Sequence, residues 1–423
     1  MENFFHKIGV IVKDKNLRSK FLFTIIALIV FRAFAAIPIP GIDIARLQQF
    51  LSNNQFFGLL DVFSGGGLSS LSIVMLGVGP YITGSIIMQL LTMMSPKLKA
   101  LYHEEGEAGR KRFTQYSRML TVPLALIQSI GFILLLRNQG VLNAMTPFNL
   151  GVNVIIVSAG SVLLMWIGEL ITEFGIGNGV SLIIFSGIVA RIPSAINELA
   201  LNYDASQIPM IIAFFIGALV VIGGVVFITE AERPVPVTYA KRVRGNKVYG
   251  GISTYLPLRI NQAGVIPIIF ALSILVFPQM IAQFLVTSGN VALHAVAQAV
   301  ISALQNQLVY GALYFFFVFV FTYFYTAVTF EPDSIATNLQ KNGAFIPGVR
   351  PGVPTSEYLA NIITRITLVG ALFLGAIAVL PLILRAVTGV ASLTIGGTAL
   401  LIVVSVVIDL IKKVEAQLTM REY

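Results

Sequence analysis

The sequence predicts an all-α protein that crosses a membrane many times. Of its 423 residues, 56% are hydrophobic and 11% are charged, whereas globular proteins carry about 25% charged residues. The mean hydropathy is +0.87, and the apolar residues form long continuous runs along the whole chain instead of the alternating pattern of a membrane barrel. A soluble fold, a disordered chain and a soluble enzyme with one membrane anchor are therefore excluded.

Ten apolar runs have about the 20 residues that a helix needs to cross roughly 30 Å of hydrocarbon. Inside a bilayer the backbone polar groups must find partners within the segment, so continuous runs of this length predict transmembrane helices. The ten predicted spans, in order, are Phe21–Ile37, Leu71–Met94, Tyr116–Leu136, Val152–Ile171, Val180–Ile196, Ile208–Ile228, Ile260–Val286, Leu308–Phe330, Ile362–Leu384 and Leu393–Ile411.

Lysines and arginines lie almost entirely on one side of this ten-span chain. Of the 28, all but five lie in the N-terminal arm, the C-terminus, and the connections that follow even-numbered spans or the adjoining span ends. Because cytoplasmic loops carry the excess of positive charge, both termini are predicted to be cytoplasmic. The five on the other side are Arg32, Arg46, Arg137, Arg191 and Arg385.

A glycine-rich break precedes the predicted second span. It reads LLDVFSGGGLSSLS and is too short and too flexible to cross a membrane. Two interpretations remain open. One is a plain external loop, and the other is a re-entrant half-helix, which a bilayer tolerates only where the backbone lines a cavity.

Two predicted cytoplasmic connections are more ordered than a simple linker needs to be. The connection between spans six and seven, Glu230–Arg259, alternates apolar, aromatic and basic residues around Gly245 and Asn246, which predicts a β-hairpin. Its basic residues either only set the topology or bind an anionic or protein partner. The connection between spans eight and nine reads KNGAFIPGVRPGVP around Arg350, and its prolines and glycines predict a shaped loop.

Motifs for catalysis and for cofactor or metal binding are missing from the sequence. It has no G-x-x-x-x-G-K-[ST] phosphate loop and no H-E-x-x-H motif, and it contains no cysteine. Charged residues in the spans, such as Arg32, Glu169 and Asp409, lie near span ends, where they can reach water. We expect no enzymatic activity, cofactor or metal. An inverted-repeat transporter of a small solute is the main alternative, although it would need a polar site at mid-membrane.

Six stretches of the sequence carry a family resemblance. They are GVGPYITGSIIMQLL, EEGEAGRKRFTQYSR, LMWIGELITEFGIGNGVSLIIFSGIVA, INQAGVIPIIFALSI, NLQKNGAFIPGVRPG and GGTALLIVV. In this order they resemble successive signatures of the SecY family of protein-conducting channel subunits, from the first span to the tenth. The resemblance implies two inverted halves, residues 1–200 with spans one to five and residues 201–423 with spans six to ten, around a central hourglass pore.

The resemblance also implies roles for individual residues of the pore. The apolar ring that constricts it falls on Val78, Ile82, Val180, Ile184, Ile269 and Ile402. A polar cluster beside the lateral gate, between spans two and seven, falls on Thr83, Gln128 and Asn261. The glycine-rich break resembles the plug that closes the pore from outside, which implies roles for Asp61, Phe63, Gly65, Gly66, Gly67, Leu68 and Leu71. Its small residues suit a loosely packed element that leaves and returns.

The family's function and partners follow from the same resemblance. It implies a subunit of the Sec translocon in the bacterial plasma membrane, which passes unfolded secretory polypeptides and releases transmembrane segments into lipid. Expected partners are the SecE and SecG subunits, the SecA ATPase, the ribosome with its rRNA, signal sequences, nascent polypeptides and membrane lipid. Docking of SecA and the ribosome would involve Arg242, Arg244, Lys247 and Arg350.

Overall fold

The fold is described from a computed structural model. It covers residues 14–40, 61, 64–138, 140–142, 146–193, 197, 208–239, 242–244, 247–249, 253–264, 266–286, 290–388 and 392–422. Phe63, one of the predicted plug residues, lies outside this part of the chain, as do Gly245 and Asn246.

Helices make up most of the described chain. Those of the first half are α1 (Lys15–Ala35), α2 (Gly79–Met94), α3 (Pro96–His103), α4 (Gly106–Asn138), α5 (Pro147–Phe174) and α6 (Gly179–Val189). Those of the second half are α7 (Ile208–Glu230), α8 (Ile266–Val286), α9 (Val291–Gln305), α10 (Gln307–Thr329), α11 (Pro332–Lys341), α12 (Val353–Thr388) and α13 (Ser392–Glu422).

The long helices lie where the apolar runs predict them. By length and composition, four described stretches could cross a membrane: Gly106–Arg137, Pro147–Phe174, Gln307–Lys341 and Val353–Leu380. Shorter apolar helices occur within α6, α7 and α8. A helical membrane bundle is therefore confirmed, while the number of ten spans stays a prediction.

The second helix begins later than the sequence predicts. The apolar run starts at Leu71, but residues 64–78 form consecutive turns and α2 begins at Gly79. Gly77 adopts a φ of +59°, a left-handed conformation that an α-helix does not contain, so the helix cannot extend back through it. Pro80 then occupies the first turn of α2, where its missing N–H costs nothing.

Helix α9 is absent from the prediction, which treats residues between spans seven and eight as a connection. Its sequence, VALHAVAQAVISALQ, contains no Asp, Glu, Lys or Arg, so it does not resemble a polar loop. Its 15 residues are also too few for a helix that crosses a membrane. The side chain of Asn290 caps its first turn and accepts a hydrogen bond from the N–H of Ala292 at 3.0 Å.

The two ordered connections form β structure. Strands β1 (Glu232–Tyr239) and β4 (Ser253–Arg259) pair antiparallel, and β5 (Ala344–Phe345) adds to the other edge of β1. Between β1 and β4, strands β2 (Arg242–Arg244) and β3 (Lys247–Tyr249) form a separate two-stranded hairpin. The predicted hairpin is therefore confirmed. The sheet that joins the two connections was not predicted from the sequence.

Candidate functional site

A cavity of about 810 Å³ lies among α2, α4, α5, α6 and α8. Near the start of α4, the cavity is lined by charged residues such as Glu107 and Lys111, whose side chains are 85% and 76% exposed. Other lining residues are aliphatic and less exposed: Ile82 and Ile269 are each 6% exposed, and Val180 is partly buried. The cavity is therefore lined both by exposed charged side chains and by buried aliphatic ones.

An ion pair joins the two helices that form one wall of the cavity. The Nε of Arg118 on α4 donates to Oε1 of Glu169 on α5 at 2.6 Å. The side chain of Glu169 is 16% exposed, so Arg118 compensates much of the cost of removing its charge from water. The pair keeps this wall polar without leaving an uncompensated charge beside the aliphatic lining residues.

The structure brings the predicted ring residues into one apolar cluster. Five of them are buried in it and Val180 packs against it. They come from α2 and the residue before it, α6, α8 and α13. The members and their exposed fractions are Val78 0%, Ile82 6%, Ile184 0%, Ile269 6% and Ile402 1%. The cluster also contains many other core residues. Burial of the ring residues in it is therefore consistent with a constriction but does not distinguish them from ordinary core residues.

The predicted gate residues are not joined by hydrogen bonds to one another in the described chain. Thr83 donates to the carbonyl of Gly79 at 3.0 Å, one helical turn earlier. Asn261 donates to the carbonyl of Gly264 at 3.2 Å. Gln128 and Asn261 are both buried, at 8% and 5% exposure. These bonds are local, so none of them ties one side of the predicted gate to the other.

The predicted plug segment is buried. Leu68 and Leu71 are 2% and 0% exposed and pack in a second apolar cluster with residues of α4 and α5. The described residues 64–72 form turns, not a half-helix. Their backbone joins the chain after α1, because the N–H of Ile39 donates to the carbonyl of Leu71 at 2.9 Å. Burial argues against a plain external loop.

Close backbone contact replaces the loose packing that the small residues of the plug segment predict. Gly65, which has a φ of +68°, lies against Gly187 of α6. A Cβ atom added to Gly187 would lie 2.0 Å from the Cα of Gly65. Glycine at these two positions therefore lets the two backbones approach closely, whereas the sequence predicted that the glycines keep the segment loosely packed.

The predicted docking residues lie on the two ordered connections. Arg242 and Arg244 belong to β2 and Lys247 to β3, and Arg244 is paired with Lys247 in register. Arg350 is exposed, and its carbonyl accepts a hydrogen bond from Oγ1 of Thr355 at 2.8 Å in the first turn of α12. Because β5 pairs with β1, the connection that carries Arg350 is anchored to the connection that carries the hairpin.

These features define a class of protein, namely a helical membrane protein in which charged and buried aliphatic side chains line one cavity, as in a gated channel. The SecY family model matches residues 72–411. The protein translocase subunits SecY of Mycobacterium bovis and Streptomyces coelicolor are each 42% identical, over 432 and 428 residues, with 97% of both chains covered. The chain belongs to the SecY family.

Solved channels share the fold. A protein-conducting channel superposes with a TM-score of 0.67 at 19% identity, covering 96% of this chain and 93% of that chain. A SecY protein whose plug domain stabilises the closed state of the translocation channel gives 0.67 at 20% identity with the same coverage. Sec61 from a canine ribosome-channel complex gives 0.64 at 18% identity, again with that coverage. The predicted SecY-type fold is confirmed.

Proposed function

We propose that this chain is the protein-conducting channel subunit of a bacterial Sec translocon. In this role it passes unfolded secretory polypeptides across the plasma membrane, releases transmembrane segments sideways into lipid, and acts without enzymatic chemistry. Its family membership supports this role. The single observation that carries the proposal is the cavity that charged residues of α4 and α5 line together with the aliphatic side chains of Ile82, Val180 and Ile269.

The chemistry of this cavity suits a polypeptide of any sequence. Charged and polar walls keep an unfolded chain hydrated, whereas a selective transporter needs fixed polar groups that recognise one solute. An aliphatic constriction contacts any side chain without preferring one, and when narrow it excludes water and ions by dewetting. The ring of Val78, Ile82, Val180, Ile184, Ile269 and Ile402 would supply that seal.

Residues 1–200 and 201–423 form the two halves in this proposal, with both termini in the cytoplasm. The gate opens between spans two and seven. Thr83, Gln128 and Asn261 would line it, and their local hydrogen bonds leave the two sides free to separate. Interhelical polar bonds in membranes are worth about 1 kcal/mol, so an apolar signal sequence could displace any that form.

SecE and SecG would complete the channel, and SecA or the ribosome would supply the driving force, since the sequence contains no phosphate loop of its own. The basic hairpin and the loop around Arg350 offer these partners one surface, because β5 and β1 hold the two connections together. A ribosome contact has a precedent in the canine Sec61 complex. Positive side chains there would meet rRNA phosphates.

Crosslinking in a translocating complex tests the proposed pore. In this cysteine-free chain, single cysteines at Ile82, Ile184, Ile269 and Ile402 are expected to react with an arrested secretory chain in vesicles that also contain SecE, SecG and SecA. A cysteine at Ile127, which is 61% exposed on α4, is the matched lipid-facing control. Reaction at Ile127 but at none of the ring positions would show that the path lies elsewhere, and failure to move any signal-bearing chain would reject the function.

Charge reversal at Arg350 tests partner docking. The Arg350→Glu protein is expected to lose most SecA-driven translocation, about tenfold or more, while its thermal stability changes little, because exposed substitutions usually alter the free energy of unfolding by less than about 0.5 kcal/mol. Arg350→Lys keeps the charge but not the two-pronged guanidinium contact and should be intermediate. Lys341→Glu, an equal charge change on exposed α11, is the control. Normal transport by Arg350→Glu would remove this role.

A further inference from the structure

Two arginines on the non-cytoplasmic side of the predicted topology contact the plug segment. Such residues are rare on that side, since only five of the 28 basic residues lie there. Arg32 is on α1, and Arg191 follows α6. Neither arginine helps to orient the chain, because positive charge on the outside opposes the general rule. Their contacts indicate instead that both hold the plug segment.

Arg191 forms an ion pair with a buried carboxylate at the start of the plug segment. Its Nη1 lies 2.6 Å from Oδ2 of Asp61. The side chain of Asp61 is 2% exposed and that of Arg191 is 40% exposed, so the carboxylate is removed from water and the arginine reaches it from the surface. A buried carboxylate without its partner carries a large desolvation cost.

Asp61 also organises the segment itself. Its Oδ1 accepts a hydrogen bond from the N–H of Ser69 at 2.7 Å, and its carbonyl accepts one from the N–H of Gly66 at 2.8 Å. Two positions of the turn region are therefore bonded to one residue, one to its side chain and one to its carbonyl. A force that holds Asp61 in place holds the described segment as a unit.

Arg32 provides the second point of attachment. Its Nη1 donates to the carbonyl of Gly65 at 2.7 Å. Phe31, the residue before it, is fully buried and would lie 2.5 Å from a Cβ atom added to Gly65. The segment is thus held by one charged group on α1 and another just after α6, and its Gly65 packs between Phe31 of α1 and Gly187 of α6.

We propose that Arg32 and Arg191 form a latch that holds the plug segment in the closed channel and thereby sets how strong a signal sequence must be to open it. The inference rests on the proposed function. Both arginines act as positioning residues, because they hold the plug and need not contact the translocating chain. Both attachments belong to the first half of the chain, so the latch fastens the plug to one side only.

Chemical accessibility measures release of the plug directly. Leu68 is 2% exposed, so a Leu68→Cys reporter in this cysteine-free chain is expected to react slowly with a water-soluble maleimide. In full complexes with SecE and SecG, adding Arg191→Gln should raise the labelling rate about tenfold, since it leaves a buried charge uncompensated. Arg191→Lys retains the charge and should restore most of the protection. Arg137→Gln, an exposed arginine at the end of α4 on the same side, is the control.

Translocation measures the consequence for selectivity. The Arg191→Gln channel should pass a chain with a defective signal sequence about tenfold better than the unmodified channel, with normal signals little affected. Asp61→Asn should raise passage of the defective chain to the same extent. The double variant should pass no more of it than either single variant, because both substitutions remove the same interaction. Arg32→Gln should give a smaller change, since it loses a single bond to a neutral carbonyl.

The outcomes separate the latch from the proposed function. Unchanged labelling and unchanged selectivity in Arg191→Gln, in a channel that still moves normal substrates, would reject the latch alone. An unmodified channel that moves no signal-bearing chain would reject the function. Equal loosening by Arg137→Gln, or additive effects of the two single variants, would mean that the arginines act only through general stability and would also reject the latch.

Discussion

Replacing Ile402 with asparagine is expected to open the resting channel to ions. Ile402 is 1% exposed and lies in the aliphatic cluster with Val78 and Ile184. A buried amide without a partner costs about 1–3 kcal/mol. In the proposed pore the closed state alone bears that cost, because water would reach the amide once the pore opens. The open fraction should therefore rise about 5- to 150-fold, measured as resting conductance of the complex in planar bilayers.

The control for this experiment places the same substitution on a lipid-facing surface. Ile127→Asn, on α4 where the side chain is 61% exposed, should lower insertion or thermal stability without raising conductance. Chains with defective signal sequences should also pass more readily through the Ile402→Asn channel. Conductance that rises equally in both proteins, or in neither, would contradict a seal formed by Ile402.

The second large effect is expected from a single methyl group at Gly187. In Gly187→Ala the new Cβ would lie 2.0 Å from the Cα and 2.4 Å from the carbonyl carbon of Gly65. Both are backbone atoms that cannot rotate away, and forcing extra volume into a packed site costs about 1–3 kcal/mol. The plug should leave its seat more often, with faster maleimide labelling at Leu68→Cys and higher resting conductance.

A glycine without neighbours provides the comparison for Gly187. A Cβ atom at Gly151 on α5 would meet nothing within 4 Å, so Gly151→Ala should be neutral or stabilising, because alanine favours a helix by about 1 kcal/mol over glycine. Unchanged resting conductance and unchanged slow labelling in Gly187→Ala would contradict this prediction. They would show that α6 and the plug segment move apart enough to accept the methyl group without displacing the plug.

Much of the fold was predictable because a bilayer leaves few choices. Long apolar runs must be helical, and the bundle follows from them. The start of α2 was not predictable from hydropathy, since residues 71–78, which form the turns directly before Gly79, belong to the same apolar run. The turn before α6 also depends on backbone detail that hydropathy does not carry, since Gly177 adopts a φ of +92° and Asn178 caps α6 through its side chain.

The contacts of the candidate site could not be predicted from the sequence. Family resemblance names Ile82 and Ile269 as ring residues, which stays a prediction, and the structure adds that both line one cavity with charged residues. The roles of Arg32 and Arg191 depend on pairs distant in sequence, 33 residues for Arg32 with Gly65, and no local pattern encodes such partners. One signal was present in the sequence, since both arginines lie on the predicted non-cytoplasmic side, where basic residues are rare. Such a position indicates that the residue has a specific partner.

The sheet formed by β1, β4 and β5 also has a mechanical consequence. Strand β1 follows α7 almost directly, β4 leads into α8, and β5 precedes α12, so three membrane helices meet one small sheet. Hydrogen-bonded strands hold their neighbours in register, so a displacement of one strand is shared by the other two. A partner that docks on this surface, as proposed above, would therefore move the adjoining ends of α7, α8 and α12 together.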